Sequence, residues 1–581
     1  SMNHIIFRRG DDPVENLDHA RARISGKVDV VELPKAFRQI SSTMLRDNVD
    51  LNRDVSNLVD PMVQGYIYAY GLYLREPEYK PIAMGKVLSF ERFEGTPEDV
   101  LREIDNNLLL RSEHMHEIHE HFATTGDSVT ILRNMMNHNR LIGVARSHIL
   151  SPENLYEVLG DVELANQVRR HTSGNILLLS GLYTTKDGDV EDPAQLLLTE
   201  VLTEAYKHGV SYAIYFPKEA APGAYITDAV RRQGFVVADT FLGDGQVYVV
   251  DMREPIVVLR NLQTFIKEPL VSNPAVMKVI EKGYRRLQHN MTKLYPGSLV
   301  LTLSAEVIFP RLVEMITQTN SVPNEIIQPR VLGECMCVPF GRILRERVIP
   351  NTVTKTLHTD TLYESDLSDY TVEAFQNYTP LEDQVRMIHA FDRPVILVDD
   401  IMNIGKRFTA LDYYLKNEGV PIRKMLFGVM TGVGRDRMTA RGIDCDSVYY
   451  VPNVRKWYVE SSLYPFIGGD SVKRAGFIMN EASPSVNDVF PYTTPDLAGA
   501  SKEALYAFSA SCVSNARDIF YALEEAYRAR YGRNLTMERL GEVMTVACAP
   551  DRGECMIYDD NKAPSVYLDN DLQMLKRLYK K

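Results

Sequence analysis

Residues 393–411 read RPVILVDDIMNIGKRFTAL. Four apolar residues, Val395 to Val398, run into two adjacent acids, Asp399 and Asp400, and a glycine follows at Gly405. The apolar run predicts a buried strand. The next segment, KRFTALDYYLKNEGV, has the pattern of a helix stopped by Gly419. In an open parallel sheet, ligands bind beyond the carboxyl ends of the strands, which is where the two acids fall. The turn 401–407 leads into a helix N-terminus, and its N–H groups favour an anion. Paired carboxylates repel a phosphate, yet they accept hydrogen bonds from vicinal hydroxyls or hold Mg2+ through water. A ligand with a diol at one end and a phosphate close by satisfies both halves, and a ribose 5-phosphate has that shape. The plain alternative is a buried strand whose acids only cap its turn.

Working outward, SLVLTLS (298–304), GECMCVPFG (333–341), KMLFGVMTG (424–432) and DSVYYVP (446–452) read as further strands, separated by helical or polar stretches. Strands alternating with helices predict a parallel sheet with helices on both faces.

VILVDDIMNIGKR resembles the phosphoribosyl pyrophosphate (PRPP) motif of type I phosphoribosyltransferases. The resemblance spans roughly residues 290–475 and implies an α/β fold, with a phosphoribosyltransferase-like domain over 285–480. It implies that Asp399 and Asp400 hold the ribose hydroxyls and Mg2+, and that Asn403, Ile404, Gly405, Lys406 and Arg407 form the 5-phosphate loop. Ile404 and Arg407 stand where hydroxyl residues are usual. Losing two such donors weakens phosphate binding by about 1–3 kcal/mol, which the charges of Lys406 and Arg407 offset.

The same resemblance puts Ser304 on a pyrophosphate loop. It makes 341–364 a mobile catalytic loop carrying Arg342, Arg345, Arg347, Lys355 and His358, with Lys355 catalytic beside the acids. It makes 451–470 a substrate hood, with Trp457 stacking on a base beside Lys456 and Tyr458. A solvated loop and a core tryptophan are the alternatives. The implied activity is phosphoribosyl transfer to an unidentified, nucleobase-like small-molecule acceptor, from PRPP or a nucleotide. A protein that keeps the site and only senses PRPP or a nucleotide is the second reading.

The segments LIGVARSHIL (141–150), NILLLSGLY (175–183), SYAIYFP (211–217) and QVYVVDM (246–252) also read as strands. Between them, DPAQLLLTEVLTEAYKHGV predicts a helix with Asp192 as N-cap, Pro193 at its first position and Gly209 past its end. The order strand, helix, strand, helix, strand, strand, with the step RRQGF at 231–235, resembles the C-terminal half of the GNAT acetyltransferase fold over residues 141–265. GNAT enzymes hold the acetyl-CoA pyrophosphate on a basic, glycine-rich turn. Here that turn, TTKDGDVEDPAQ (184–195), has Gly188 and four acids, Asp187, Asp189, Glu191 and Asp192. Four carboxylates repel a pyrophosphate. The resemblance therefore implies a GNAT-like α+β domain that is degenerate for acetyl-CoA, or that uses another ligand. A GNAT-type acyltransferase with a phosphoribosyl-binding domain is the third reading.

Residues 1–140 read as mixed and largely helical. One of their helices carries His114, His116, His119 and His121, as a metal site or a solvated face interleaved with glutamate. Residues 481–581 read as a helical region. In 501–532 the residues Leu505, Phe508, Cys512, Ile519 and Leu523 share one face, and Gly532 ends the helix. That face packs on the sheet domain or on a second copy of the chain in a homodimer.

The net charge of −12 argues against a generic nucleic-acid or anionic-membrane binder. No apolar run approaches the roughly 20 residues a bilayer requires. Six cysteines without paired CxxC knuckles fit a reduced, cytoplasmic protein.

Overall fold

The computed structural model describes the chain outside residues 1–3, 9–22, 33–39, 51–52, 54, 56–57, 71, 74–82, 84–86, 96, 107–126, 173, 186–189, 218–223, 239–245, 327–330, 345–346, 376–377, 474–481, 496, 498, 552–557 and 580–581. His114, His116, His119, His121, Asp187, Gly188, Asp189 and Arg345 lie outside the described residues.

The largest sheet runs in the order Ser298–Ser304, Tyr248–Arg260, Val210–Tyr215, Asn175–Thr184, Arg140–Leu150, Ser128–Asn134, Leu88–Glu94. Its central pair, 175–184 and 210–215, is parallel and is joined by the helix Pro193–Ala205. The expected strand–helix order over 175–260 is therefore present, in a sheet that begins earlier, at Leu88. The strand 248–260 has two roles. Its first half pairs antiparallel with 210–215 and with Val236–Val237. Its second half pairs parallel with 298–304 and with Lys456–Val459.

A second sheet has five parallel strands in the order Val353–Thr354, Met336–Pro339, Val395–Met402, Ile422–Met430, Cys445–Tyr450. Val395 to Val398 are fully buried near its middle. This suits a strand covered on both faces, whose sequence is a continuous apolar run. The sequence assigns 298–304 to this sheet as well; the structure places it in the larger one. Val300 to Leu303 pair with the equally apolar run Ile256 to Leu259, and all eight are buried.

A third, mixed sheet runs Tyr370–Ala374, Thr359–Tyr363, Asp470–Val472, Ser483–Val486, Cys548–Pro550. The region after 481 is thus not helical alone, since it adds two strands here.

The two α/β units share one core. Leu197 and Leu202 of the helix 193–205, Ile308 and Leu312 of the helix Ala305–Thr319, and Ile396 and Leu426 of the parallel sheet belong to the same buried cluster. Burial of each such side chain contributes about 1.5–3 kcal/mol. A polar tie reinforces the seam. Glu200 accepts from the Tyr449 hydroxyl at 3.1 Å and pairs with Arg311 at 3.0 Å. Arg311 in turn lies over the rings of Phe90 and Tyr449.

The helix Lys502–Tyr531 starts at Ser501, whose hydroxyl accepts from the Ala504 N–H, and ends at Gly532. Phe508, Cys512, Ile519 and Leu523 are buried against the helices Pro274–Leu294 and Pro564–Tyr579 of the same chain. Asn515 Nδ2 donates to the Gly283 carbonyl at 2.8 Å in that seam. Among the described residues no helix is long and apolar enough to cross a membrane.

Candidate functional site

The strand 395–402 does not stop at its acids but continues through them to Met402. Asp399 and Asp400 are 4% and 2% exposed. Gly405 follows in a left-handed conformation, φ 69°, and serves as N-cap of the helix Lys406–Asn417. That conformation is the reason a glycine stands there. The turn is held by its neighbours. Thr431 Oγ1 donates to Asn403 Oδ1 at 3.2 Å, and Arg437 donates to the Ile404 carbonyl. The sequence expectation of a strand, an acid pair, a turn and a helix N-terminus is met in its backbone.

The side chains are arranged differently. Arg407 Nη1 donates to Asp399 Oδ1 at 2.6 Å and to Asp400 Oδ1 at 2.9 Å. One guanidinium therefore bridges both acids. From the adjacent strand, Pro339 pairs with Val398, so Phe340 and Gly341 pass beside the acids. A Cβ on Gly341 would lie 1.8 Å from Asp399 Oδ1. Arg342 follows, donating to Ser462 Oγ at 2.7 Å and to Asp470 Oδ1 at 2.5 Å.

Burial drives both carboxyls toward the neutral form. Arg407 and Arg342 overcome it at Asp400, whose pKa is lowered, while Asp399, with Asp400 beside it, stays well above the usual carboxylate range. The pair favours one proton and one charge, as like charges at such range do.

On the outer side, Lys406 sits over the Tyr370 ring at 4.1 Å and pairs with Asp369 at 3.6 Å. The 359–374 hairpin thus covers the first turn of the helix.

Other candidates fall elsewhere. Lys355 Nζ donates to the Asp50 carbonyl at 2.6 Å and the Val49 carbonyl at 3.3 Å. It is buried against the last turn of the helix Ser42–Asp50, where a cation suits the terminal carbonyls. Ser304 N-caps the helix 305–319, accepting from the Glu306 N–H at 3.2 Å, and lines a different cleft. Trp457 lies in the strand 456–459, paired with Val257 and partly buried against the large core. Tyr458 is buried beside Phe508. His358 stacks on Tyr378 at 4.1 Å.

A resident Mg2+ does not fit this arrangement, because the guanidinium already stands between the carboxylates. Among the described residues no three His, Cys, Asp or Glu side chains gather as metal ligands.

The two described acids of the other unit's turn, Glu191 and Asp192, are each held by an arginine. Asp192 pairs with Arg232 at 2.7 Å and accepts from the Tyr225 hydroxyl at 3.2 Å. Its side chain does not cap the helix it precedes, and Pro193, Ala194 and Gln195 are buried. The helix N-terminus that would meet a pyrophosphate is packed inside the protein. Glu191 pairs with Arg260, Nη2 to Oε1 at 2.7 Å.

Gly341, Ser462 and Asp470 complete the surroundings of the acid pair. They lie about 60–70 residues from the acids in chain order, within the stretches 341–364 and 451–470 that the resemblance places around the site, but no local pattern singles them out.

No protein-family model and no curated protein matches this chain. Solved acetyltransferase structures resemble part of it. An agmatine N-acetyltransferase in its apo form is 12% identical over 29% of this chain and 100% of its own, with a TM-score of 0.21. Arabidopsis thaliana NAA60 in complex with acetyl-CoA is 13% identical over 28% of this chain and 98% of its own, at 0.20. The catalytic domain of the Tetrahymena GCN5 histone acetyltransferase with coenzyme A is 12% identical over 29% and 93%, at 0.20. Likeness at this level decides nothing about activity.

Proposed function

We propose that the chain is a ribose-phosphate or nucleotide-binding regulatory protein that holds its ligand without turning it over. The Arg407 bridge across Asp399 and Asp400 carries this reading. In the unliganded form the guanidinium neutralises the acids. A ribose 5-phosphate replaces it, its hydroxyls donating to the carboxylates while its phosphate draws Arg407 toward the N–H groups of the first turn of the helix 406–417. Arg407 moves from the acids to the phosphate, and the sugar hydroxyls, with Arg342 nearby, stabilise the charge left on the acid pair.

The reading without turnover is supported by where the described candidates stand. Lys355 is committed to two carbonyls, and Ser304 and Trp457 belong to other parts of the fold. A transfer reaction at ribose C1 needs groups that stabilise a departing pyrophosphate. Among the described cations named for that role, Arg342 stands near the acids, and it is bound to Ser462 and Asp470.

Thermal shift with ribose 5-phosphate and with PRPP, each with and without Mg2+, tests the reading. A pyrophosphate-release assay over a nucleobase panel goes with it. Stabilisation without pyrophosphate release is expected. Release with any base would make the chain a transferase, and no stabilisation by either ligand would sink the proposal.

A GNAT-type acyltransferase is the second reading, favoured by the parallel pair 175–184 and 210–215 with its crossing helix. The sealed helix start at Asp192 opposes it. Stabilisation by acetyl-CoA alone would favour this reading over the first.

A further inference from the structure

A cleft of about 690 Å³ opens at the carboxyl ends of the parallel pair 256–260 and 298–304, far from the acid pair in sequence and sharing none of its residues. Its floor is the ion pair of Arg260 with Glu191. Arg260 also lies over the Tyr284 ring at 4.1 Å, so both faces of its chemistry are engaged. Glu306, the second residue of the helix 305–319, lines the same cleft. Glu281 and the buried Glu460 are within electrostatic reach of Arg260. Four carboxylates thus lie in the field of the buried Arg260, with Arg285 also acting on Glu281, and Arg347 and Glu268 stand elsewhere in the lining. Val271, Met277, Ile280, Phe309 and Leu344 give the wall its apolar part, and Gln263, Thr264 and Ser272 are among its uncharged polar members.

We propose that this cleft binds an organic cation with an apolar body, such as an alkyl or aryl amine. The surplus carboxylate at Glu306 takes the ammonium, and the wall from Val271 to Leu344 takes the hydrocarbon. A carboxylate in an apolar cleft that lacks its own cation gains most from a ligand bringing one. Burial lifts the pKa of both Glu306 and Glu281, consistent with too little positive charge around them. An anionic ligand meets repulsion here. A bare divalent ion finds no set of three ligating side chains among the described residues. The segment 260–272, the helices 274–294 and 305–319, and Leu344 and Arg347 all contribute to the site, so it joins segments distant in the chain.

Calorimetric titration of the full chain with hexylamine, hexanol and hexanoate tests the proposal. Hexylamine is expected to bind at least tenfold more tightly than either analogue, roughly the worth of a charge-assisted contact. Glu306→Gln is expected to erase that preference while leaving the melting temperature near the wild-type value. Should Glu306→Gln unfold the chain, Glu281→Gln and the wild-type preference for amine over alcohol decide the matter. Equal binding of hexanol and hexylamine, or no binding of the amine in the millimolar range, would overturn the assignment.

Discussion

Arg407 and Asp399 lie 2.6 Å apart, Nη1 to Oδ1, and the same nitrogen reaches Asp400 at 2.9 Å. Removing one partner of a buried pair leaves an uncompensated charge and costs about 3–5 kcal/mol. Arg407→Ala should therefore lower stability by roughly that amount in urea denaturation. The double variant Arg407→Ala with Asp400→Asn should recover a large share. An Arg407→Ala protein as stable as wild type would show that the bridge is incidental.

Gly341 faces the same acids. Any side chain there must displace Asp399, because its Cβ would lie 1.8 Å from Oδ1. Overpacking of this kind costs about 1–3 kcal/mol. Gly341→Ala should lower the melting temperature and reduce ribose 5-phosphate affinity together. A loss of neither would place the 341 turn away from the acids in solution.

Lys355→Met tests a structural role against a catalytic one. Two buried carbonyls, of Val49 and Asp50, lose their donor. An unsatisfied buried acceptor costs about 1–3 kcal/mol. Hydrogen exchange should quicken across residues 42–50 while ribose 5-phosphate binding persists. Loss of binding with unchanged exchange at 42–50 would return Lys355 to the ligand site.

Glu460 sets a pH dependence. It is fully buried, and burial outweighs the attraction of Arg260, lifting its pKa to about 7. Glu191 adds to the lift, while the Tyr464 hydroxyl donates to Glu460 at 3.4 Å and opposes it; Cys512 also lies within its field. The folded state therefore holds this proton more tightly than the unfolded chain, whose glutamate titrates near 4.3. Its stabilising contribution is full below that value and is lost as pH rises through about 7, a change on the order of 3 kcal/mol. Wild type should lose more stability between pH 5 and pH 8 than Glu460→Gln. Parallel pH profiles for the two proteins would refute the shift.

What the sequence announced was local. The run Val395 to Asp400, the turn glycine Gly405, the start at Ser501 and the stop at Gly532 are each specified within a few residues, and each stands where the pattern put it. What it did not announce was partner choice. The strand 298–304 is apolar on both faces and fits either sheet; only the run Ile256 to Leu259, beyond a bend in the chain, settles which. Lys355 meets a helix 305 residues earlier, and Trp457 joins a strand 200 residues earlier. The acids of the turn at 191–192 repel a phosphate on paper, but their actual partners, Arg260 and Arg232, are 69 and 40 residues away. Arg407 was expected on the phosphate. Once Asp399 and Asp400 are buried, the desolvation of two carboxylates demands a cation, and the nearest one turns inward.

The most direct measurement is a crystal structure of the chain with ribose 5-phosphate. The account predicts the sugar hydroxyls on Asp399 and Asp400, with the Arg407 guanidinium moved off them onto the phosphate. A ligand bound elsewhere, or an Arg407 still bridging the two acids beside a bound sugar, would contradict it.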